Sequence, residues 1–290
     1  SSGTGSITIS GSQTTSMFSR GIYVTLADIS DADNISNNTI GSVTLTNTNS
    51  TSGHCFRAIE TAGGSASTTA TISNNSIGST VTPNSIQTTS ACTGAGNFQS
   101  NIGIQSAVIS GSMILSGNTI SYLHNAATGS QGGTGTYGIN AQSSGYFTIQ
   151  NNTIYNLSTT CANTSVTDAG AVIGIWHTAT KVATHNINGN TIYNLSNTHG
   201  TAAVSVCGIY YQGPTSATAN TTNINSNFIH SLSISSNSAS AVLKGIQIFN
   251  TGASSTNNVR NLYNNIINIG NGITNNCTIY GIYEYASGSS

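Results

Sequence analysis

The chain has 290 residues, of which only 4% are charged, and its formal net charge is −1 from five basic and six acidic side chains. So few Lys and Arg exclude a basic patch, and with it nucleic acid and anionic membrane surfaces as partners. No apolar run reaches the length of about 18 residues that a membrane-spanning helix needs, so no membrane insertion is expected.

Ser, Thr, Asn and Gln make up nearly half of the chain, beside 32 Gly and only two Pro. Polarity without charge suits disorder, but aliphatic residues recur here with a regularity that disorder does not require. The chain opens Ser1-Ser2-Gly3-Thr4, without Met or a basic n-region. It therefore shows no signal peptide and reads as a mature or excised segment.

From the amino end, Ser6-Ile-Thr-Ile9-Ser-Gly-Ser12 reads as strand and bend. Gly21-Ile22 follows, and then a segment carrying Asp28, Asp31 and Asp33. Alternating oxygen donors of this kind suggest a weak calcium loop, but the Gly and distal Glu of an EF-hand are missing, and an ordinary loop is the plainer reading. Next comes Ile35-Ser-Asn-Asn-Thr-Ile40, the first copy of a motif that decides the fold. It returns as Ile72-Ser-Asn-Asn-Ser-Ile77, Leu115-Ser-Gly-Asn-Thr-Ile120 and Ile149-Gln-Asn-Asn-Thr-Ile154. Ile187-Asn-Gly-Asn-Thr-Ile192, Ile224-Asn-Ser-Asn-Phe-Ile229 and Leu262-Tyr-Asn-Asn-Ile-Ile267 complete the set. The last Ile advances by 37, 43, 34, 38, 37 and 38 residues.

A Gly-Ile pair interleaves with this motif. Its Ile residues are Ile22, Ile104, Ile139, Ile175, Ile209, Ile246 and Ile282, with Ala58-Ile59 in the remaining slot. Two registers with one period are the signature of a repeat architecture, and the variable lengths fall between the motifs, where a solenoid places its loops. The longest such stretch is Gly78–Asn101, with Pro83 and Cys92.

The Asn-Asn, Gly-Asn and Ser-Asn pairs tolerate left-handed backbone and turn the chain, so each unit reads as strand, bend, strand. A hairpin looks similar locally. It does not explain one Asn at the same phase in all seven copies: Asn38, Asn75, Asn118, Asn152, Asn190, Asn227 and Asn265. Stacked coils do, because equivalent residues then lie about 4.8 Å apart, and stacked amides bond along the column. The expected fold is all-β: a right-handed parallel β-helix of about seven or eight coils with a repeat of about 37 residues. It forms a single domain over 1–290, with coils at about 20–57, 58–102, 103–137, 138–173, 174–207, 208–244 and 245–280 and a partial coil 281–290. Such a rod is roughly 35–40 Å long.

The Ile-x-Asn-Asn-x-Ile motif resembles the parallel β-helix repeats of secreted bacterial proteins. Low-charge, Ser/Thr/Asn/Gly-rich versions resemble large adhesin-like surface proteins of Bacteroidota. The resemblance covers about Ser6 to Tyr285. It implies an extracellular or cell-surface location, no cofactor, and a structural or adhesive role as a stalk segment or end-to-end stacking filament subunit. The partners it implies are a second copy, or the continuation of a longer surface protein. The same coil serves polysaccharide lyases, hydrolases and phage tailspikes, so a carbohydrate-active enzyme and a non-catalytic glycan-binding module stand as the alternatives.

Chemistry favours the non-enzymatic reading. Glycoside hydrolysis ordinarily needs two carboxylates flanking one bond; outside the Asp28–Asp33 group, Glu60, Asp168 and Glu284 are scattered. His177 and His185 flank Lys181 and read as loop histidines. No spacing demands a metal site. The five Cys, an odd number, show no CxxC; Cys55 and Cys92, one period apart, are the first pair to consider for a cross-link, against the reading of all five as small buried residues.

A strand residue after an inward Ile points outward. This places Tyr23, Trp176 and Tyr210 on one outer face, with Trp176 beside Tyr210, and Tyr155, Tyr193 and His230 on another. These aromatics are the candidate contacts to protein or to glycans, beside the plainer reading of aromatic stacks that steady the strands. Outward Thr does not recur in one phase beside the Gly-Ile positions, which argues against ice binding.

Overall fold

In the computed structural model the described residues are 7–26, 32–65, 68–108, 111–143, 145–164, 170–180, 182–213, 220–250 and 258–286. They form a parallel β-helix of three sheets and contain no helix. The glycine sheet has eight strands, from Met17–Leu26 to Thr278–Ala286. The pre-bend sheet has seven, from Ala32–Ser36 to Asn258–Tyr263. The post-bend sheet runs from Ile7–Gly11 to Ile266–Asn268. Every strand pairing is parallel, between a strand and its equivalent one coil away, as in Thr153–Thr159 beside Thr191–Asn197.

The register joins the residues that the repeat singles out. Ile22, Ile59, Ile104, Ile139, Ile175, Ile209, Ile246 and Ile282 are successive partners in the glycine sheet. Ile35, Ile72, Leu115, Ile149, Ile187, Ile224 and Leu262 form the pre-bend column. Ile40, Ile77, Ile120, Ile154, Ile192, Ile229 and Ile267 form the post-bend column. In the middle coils these side chains are fully buried in one continuous core. Burial of each Ile stabilises the fold by about 1.5–3 kcal/mol.

The glycine column permits the coil to close. A Cβ on Gly174 would lie 2.6 Å from the Gly208 carbonyl oxygen and 2.6 Å from Ile192 Cγ2. Gly103, Gly138, Gly208 and Gly245 meet the same two kinds of neighbour. The backbone here is pressed against the post-bend Ile of its own coil and the strand of the next, leaving no room for a side chain.

At the bend, the residue before the column Asn is left-handed in every copy: Asn37, Asn74, Gly117, Asn151, Gly189, Ser226 and Asn264 have φ of 54–66°. Left-handed backbone is costly for most L-residues, which explains why Asn and Gly dominate this position. The bend aims the next Asn inward. Asn75, Asn118, Asn152, Asn190 and Asn227 are buried, and they form a ladder. Asn38 Nδ2 donates to Asn75 Oδ1 at 2.9 Å, and the link repeats through Asn118, Asn152, Asn190, Asn227 and Asn265 at 2.9–3.0 Å. Each Oδ1 also accepts the backbone N–H of the Asn one coil before, as Asn152 Oδ1 accepts from Asn118 at 3.0 Å. The second Nδ2 proton goes back to a pre-bend carbonyl, from Asn152 to Leu115 at 2.9 Å. Two donors and two acceptor sites are thus all used, which removes the cost of burying the amide.

A second bend was not expected from the motif. Ser42, Tyr122, Asn156, Asn194 and Ser231, each two residues after a post-bend Ile, also have φ of 53–58°. The chain changes face there, so the next inward residue lies three positions after the Ile. Val43, Ile86, Leu123, Leu157 and Leu195 form this further core column. Ile86 lies nine residues after Ile77, where Leu123 lies three after Ile120. A six-residue insertion carrying Pro83 therefore explains the single 43-residue step, and the rest of Gly78–Asn101 is not all loop, because Ile86–Thr88 is a strand of the sheet.

Candidate functional site

The outer faces of the solenoid are built by the side chains opposite these columns. On the post-bend sheet, Tyr155 and Tyr193 stack with ring centroids 4.8 Å apart and planes 2° apart, and Tyr193 and His230 repeat this at 4.8 Å and 4°. Tyr122 meets Tyr155 edge-on at 5.9 Å. The outward row expected from sequence is therefore formed. Its rings lie face on face at the strand spacing, so their faces are covered and their edges reach solvent. Burial and the neighbouring Tyr155 and Tyr122 raise the pKa of the Tyr193 hydroxyl. A groove runs beside the row, lined by Asn156, Asn194 and Ser231 of the second bend and by Ser158, Ser196 and Ser233. Amides and hydroxyls at strand spacing can bond to a linear polar chain laid along the rod.

On the glycine sheet, Trp176 and Tyr210 are register partners, with rings 6.5 Å apart and nearly perpendicular. Tyr23 stands exposed near the first coil, under the Arg20 guanidinium at 4.8 Å. Tyr210 corrects the expectation of an accessible outward aromatic: it is fully buried, and Trp176 is half-buried. The physical reason is a second apolar layer. The strand changes face at its glycine, so the residue two before the Ile shares the outer face with the residue one after it. The Arg57–Glu60 ion pair and the Lys244–Gln247 hydrogen bond at 2.7 Å both join these positions. In the middle coils the earlier position is Ile102, Tyr137, Ile173 and Cys207; these cluster with Tyr210, and Trp176 and Phe249 pack on the cluster. The signal was an apolar residue two positions before the Ile, which strict strand alternation assigns to the core.

The described carboxylates do not converge. Glu60 is buried and held by Arg20 and Arg57, while Glu284, six strands further along the sheet, lies 3.7 Å from Arg260. Asp33 lies on the pre-bend strand Ala32–Ser36 opposite Ala70. Asp28 and Asp31, the other members of the calcium candidate, and Asp168 and Lys181 lie outside the described residues. No group of three metal-ligating side chains occurs among the described residues.

His177 and His185 are not loop residues. They lie on strands Val172–Ala179 and Thr184–Asn188, fully buried inside the coil, with Nε2 of His177 3.2 Å from Nδ1 of His185. Phe147 packs edge-on to His177 at 5.7 Å and Tyr211 stacks on it at 5.0 Å. Burial, and then the second imidazole, drive the His177 pKa well below its ordinary value. The signal was present, since His177 follows Ile175 by two and His185 precedes Ile187 by two, both inward phases. All five Cys are free thiols, so the Cys55–Cys92 pair is not cross-linked. Burial and the nearby Cys55 and Cys161 push the Cys92 thiol up to about 11.

Three parallel sheets, an internal amide ladder and stacked aromatic rows define a parallel β-solenoid. No protein-family model matches the chain, and no curated protein or solved structure is significantly similar to it.

Proposed function

We propose that this solenoid is an extracellular structural rod: a stalk or adhesive segment of a bacterial surface protein, or a subunit that stacks end to end. The observation that carries this reading is the equivalence of the coil interfaces. The same three sheets, the same Ile columns and the same amide link repeat from coil to coil. Hydrogen bonds of all three sheets run along the rod axis, so a load spread over the rod's cross-section is shared by three sheets at each coil interface. A chain with 4% charged residues offers salt few charges to screen.

The last coil is suited to receive another. Among the described residues no heavy atom lies within 4 Å of where a Gly281 Cβ would be, and Ile282 is 53% exposed, whereas Ile246 one coil earlier is fully buried. Edges of this kind pair readily with further strands, supplied by a continuing chain or by a second copy. The low-charge, Asn-rich repeat supports the Bacteroidota-type surface setting that the motif resembles.

Electron microscopy of the purified protein at low micromolar concentration tests the reading. Fibres with an axial repeat near the rod length support end-to-end stacking. Single-molecule pulling tests the stalk role, with unfolding forces in excess of those of helical domains expected. Unfolding at low force, together with cleavage of an extracellular polysaccharide, would replace the structural reading with the carbohydrate-active one.

A further inference from the structure

The outer face of the glycine sheet closes into a cleft of about 200 Å³ over the last two strands, Val242–Asn250 and Thr278–Ala286. Its walls are aromatic. Tyr280 and Tyr283 stack at 4.6 Å, Phe249 and Tyr285 at 5.3 Å, and Tyr283 and Tyr285 face each other at 6.3 Å. Lys244 lines the same space and is 3% exposed.

A Lys this deeply buried is rare without a counter-charge. The Lys244 ammonium donates to Gln247 Oε1 at 2.7 Å and lies 5.5 Å from the Tyr283 ring centroid. An ammonium has three donors, and a neutral amide with a ring quadrupole is modest compensation for a buried cation. Among the described residues no carboxylate lines the cleft. Glu284 follows Ile282 by two on the inward side, in register with the buried Ile248, and pairs with Arg260. Cys207, the register partner of Lys244, is held as a neutral thiol by burial, its pKa pushed up to about 12. Burial likewise lowers the Lys244 pKa.

We propose that this cleft binds a six-membered ring bearing a carboxylate, with the ring packed against the aromatic walls and the carboxylate on the Lys244 ammonium. The aromatic walls supply the apolar contact and Lys244 the charge-assisted hydrogen bond. The cleft has room for one such ring, and Gln247 holds the ammonium in place. An acidic sugar and an aromatic acid share this chemistry, and the test separates them.

The wild-type protein is titrated by calorimetry with glucuronate and with benzoate, and with glucose and benzyl alcohol as neutral counterparts. At least one acid is expected to bind saturably and at least tenfold more tightly than its neutral counterpart. Binding of glucuronate alone assigns an acidic sugar, and binding of benzoate alone an aromatic acid. Lys244→Met keeps the length of the side chain without the charge and is expected to weaken binding at least tenfold. Tyr283→Leu is expected to weaken it several-fold, with circular dichroism showing that each variant keeps its strand content. No saturable binding of either acid, or equal binding by folded Lys244→Met, would overturn the proposal.

Discussion

Asn118 Nδ2 donates to Asn152 Oδ1 at 2.9 Å across 34 residues of sequence, and Asn75 reaches Asn118 at the same 2.9 Å across 43. Loop length changes and the link does not, so the ladder, together with the Ile columns, fixes the register of the coils.

Removing a central rung should therefore cost more than removing a terminal one. Asn152→Ala leaves the Asn118 backbone N–H and Nδ2 without their acceptor and the Leu115 carbonyl without its donor. At about 1–3 kcal/mol for each orphaned buried group, the expected loss is at least about 3 kcal/mol. Asn38, half-buried on the first bend, gives one interior link to Asn75, and Asn38→Ala is expected to cost about 1 kcal/mol. Urea denaturation measures both; equal losses would show that the ladder is not cooperative.

Gly174→Ala and Gly281→Ala form a matched pair. The first puts a methyl 2.6 Å from a carbonyl oxygen and from Ile192 Cγ2, and the second meets no atom within 4 Å. Overpacking of this kind costs about 1–3 kcal/mol, or more where backbone must shift. At Gly281 the change is expected to be neutral or slightly stabilising, since Gly in a strand loses about 0.5–1 kcal/mol relative to Ala. Melting temperatures of the two variants decide, and a similar drop in both would refute the close-contact account.

Acid should loosen the rod. Burial lowers the pKa of His54, His124 and, most strongly, His177 below the ordinary value of 6.5. The unfolded chain then binds more protons than the folded one at mildly acid pH. Stability is full above about pH 6.5 and falls as pH drops below it. Thermal melts between pH 7.5 and 5 should show this slope, and His177→Phe should flatten it if the variant folds. A flat wild-type profile would contradict burial of the imidazoles.

Tyr193→Leu removes two parallel stacks, with Tyr155 and His230. The expected loss is about 1–2 kcal/mol, from two aromatic pairs at about 0.5–1.5 each less the retained apolar burial. Because the ring faces are covered, neutral oligosaccharides should leave the tyrosine fluorescence of this row unchanged. Saturable quenching by such a sugar, lost in Tyr193→Leu, would show instead that the faces are open.

The repeat was legible because its residues do one job seven times. Ile35, Asn38 and Ile40 declare strand, bend and strand, and their copies fall in register. The faces beside the bends were harder to read. Period-two alternation assumes a flat strand, and this chain turns over at Asn156 and its equivalents and again at each glycine, so Leu157 goes in and Tyr137 goes out. Tyr210 was assigned the correct side of the sheet, but its burial depends on neighbours from other columns, which no local pattern reports. The Lys244 cleft was invisible for the same reason. Its parts come from two coils, and the pairing of Lys244 with Gln247 across a change of face is evident only once that change is known.

In a parallel sheet successive backbone carbonyls point in opposite directions along the axis and largely cancel. Six ladder amides do not, because the Nδ2 groups of Asn38, Asn75, Asn118, Asn152, Asn190 and Asn227 each donate to the Asn of the next coil. At about 3.5 D for each amide, the row sums to at most roughly 20 D. The ladder is thus an electrical vector within the rod, positive toward the last coil. Rods lying side by side gain from antiparallel alignment, and in dilute solution an applied field should orient them, which electric birefringence can read directly.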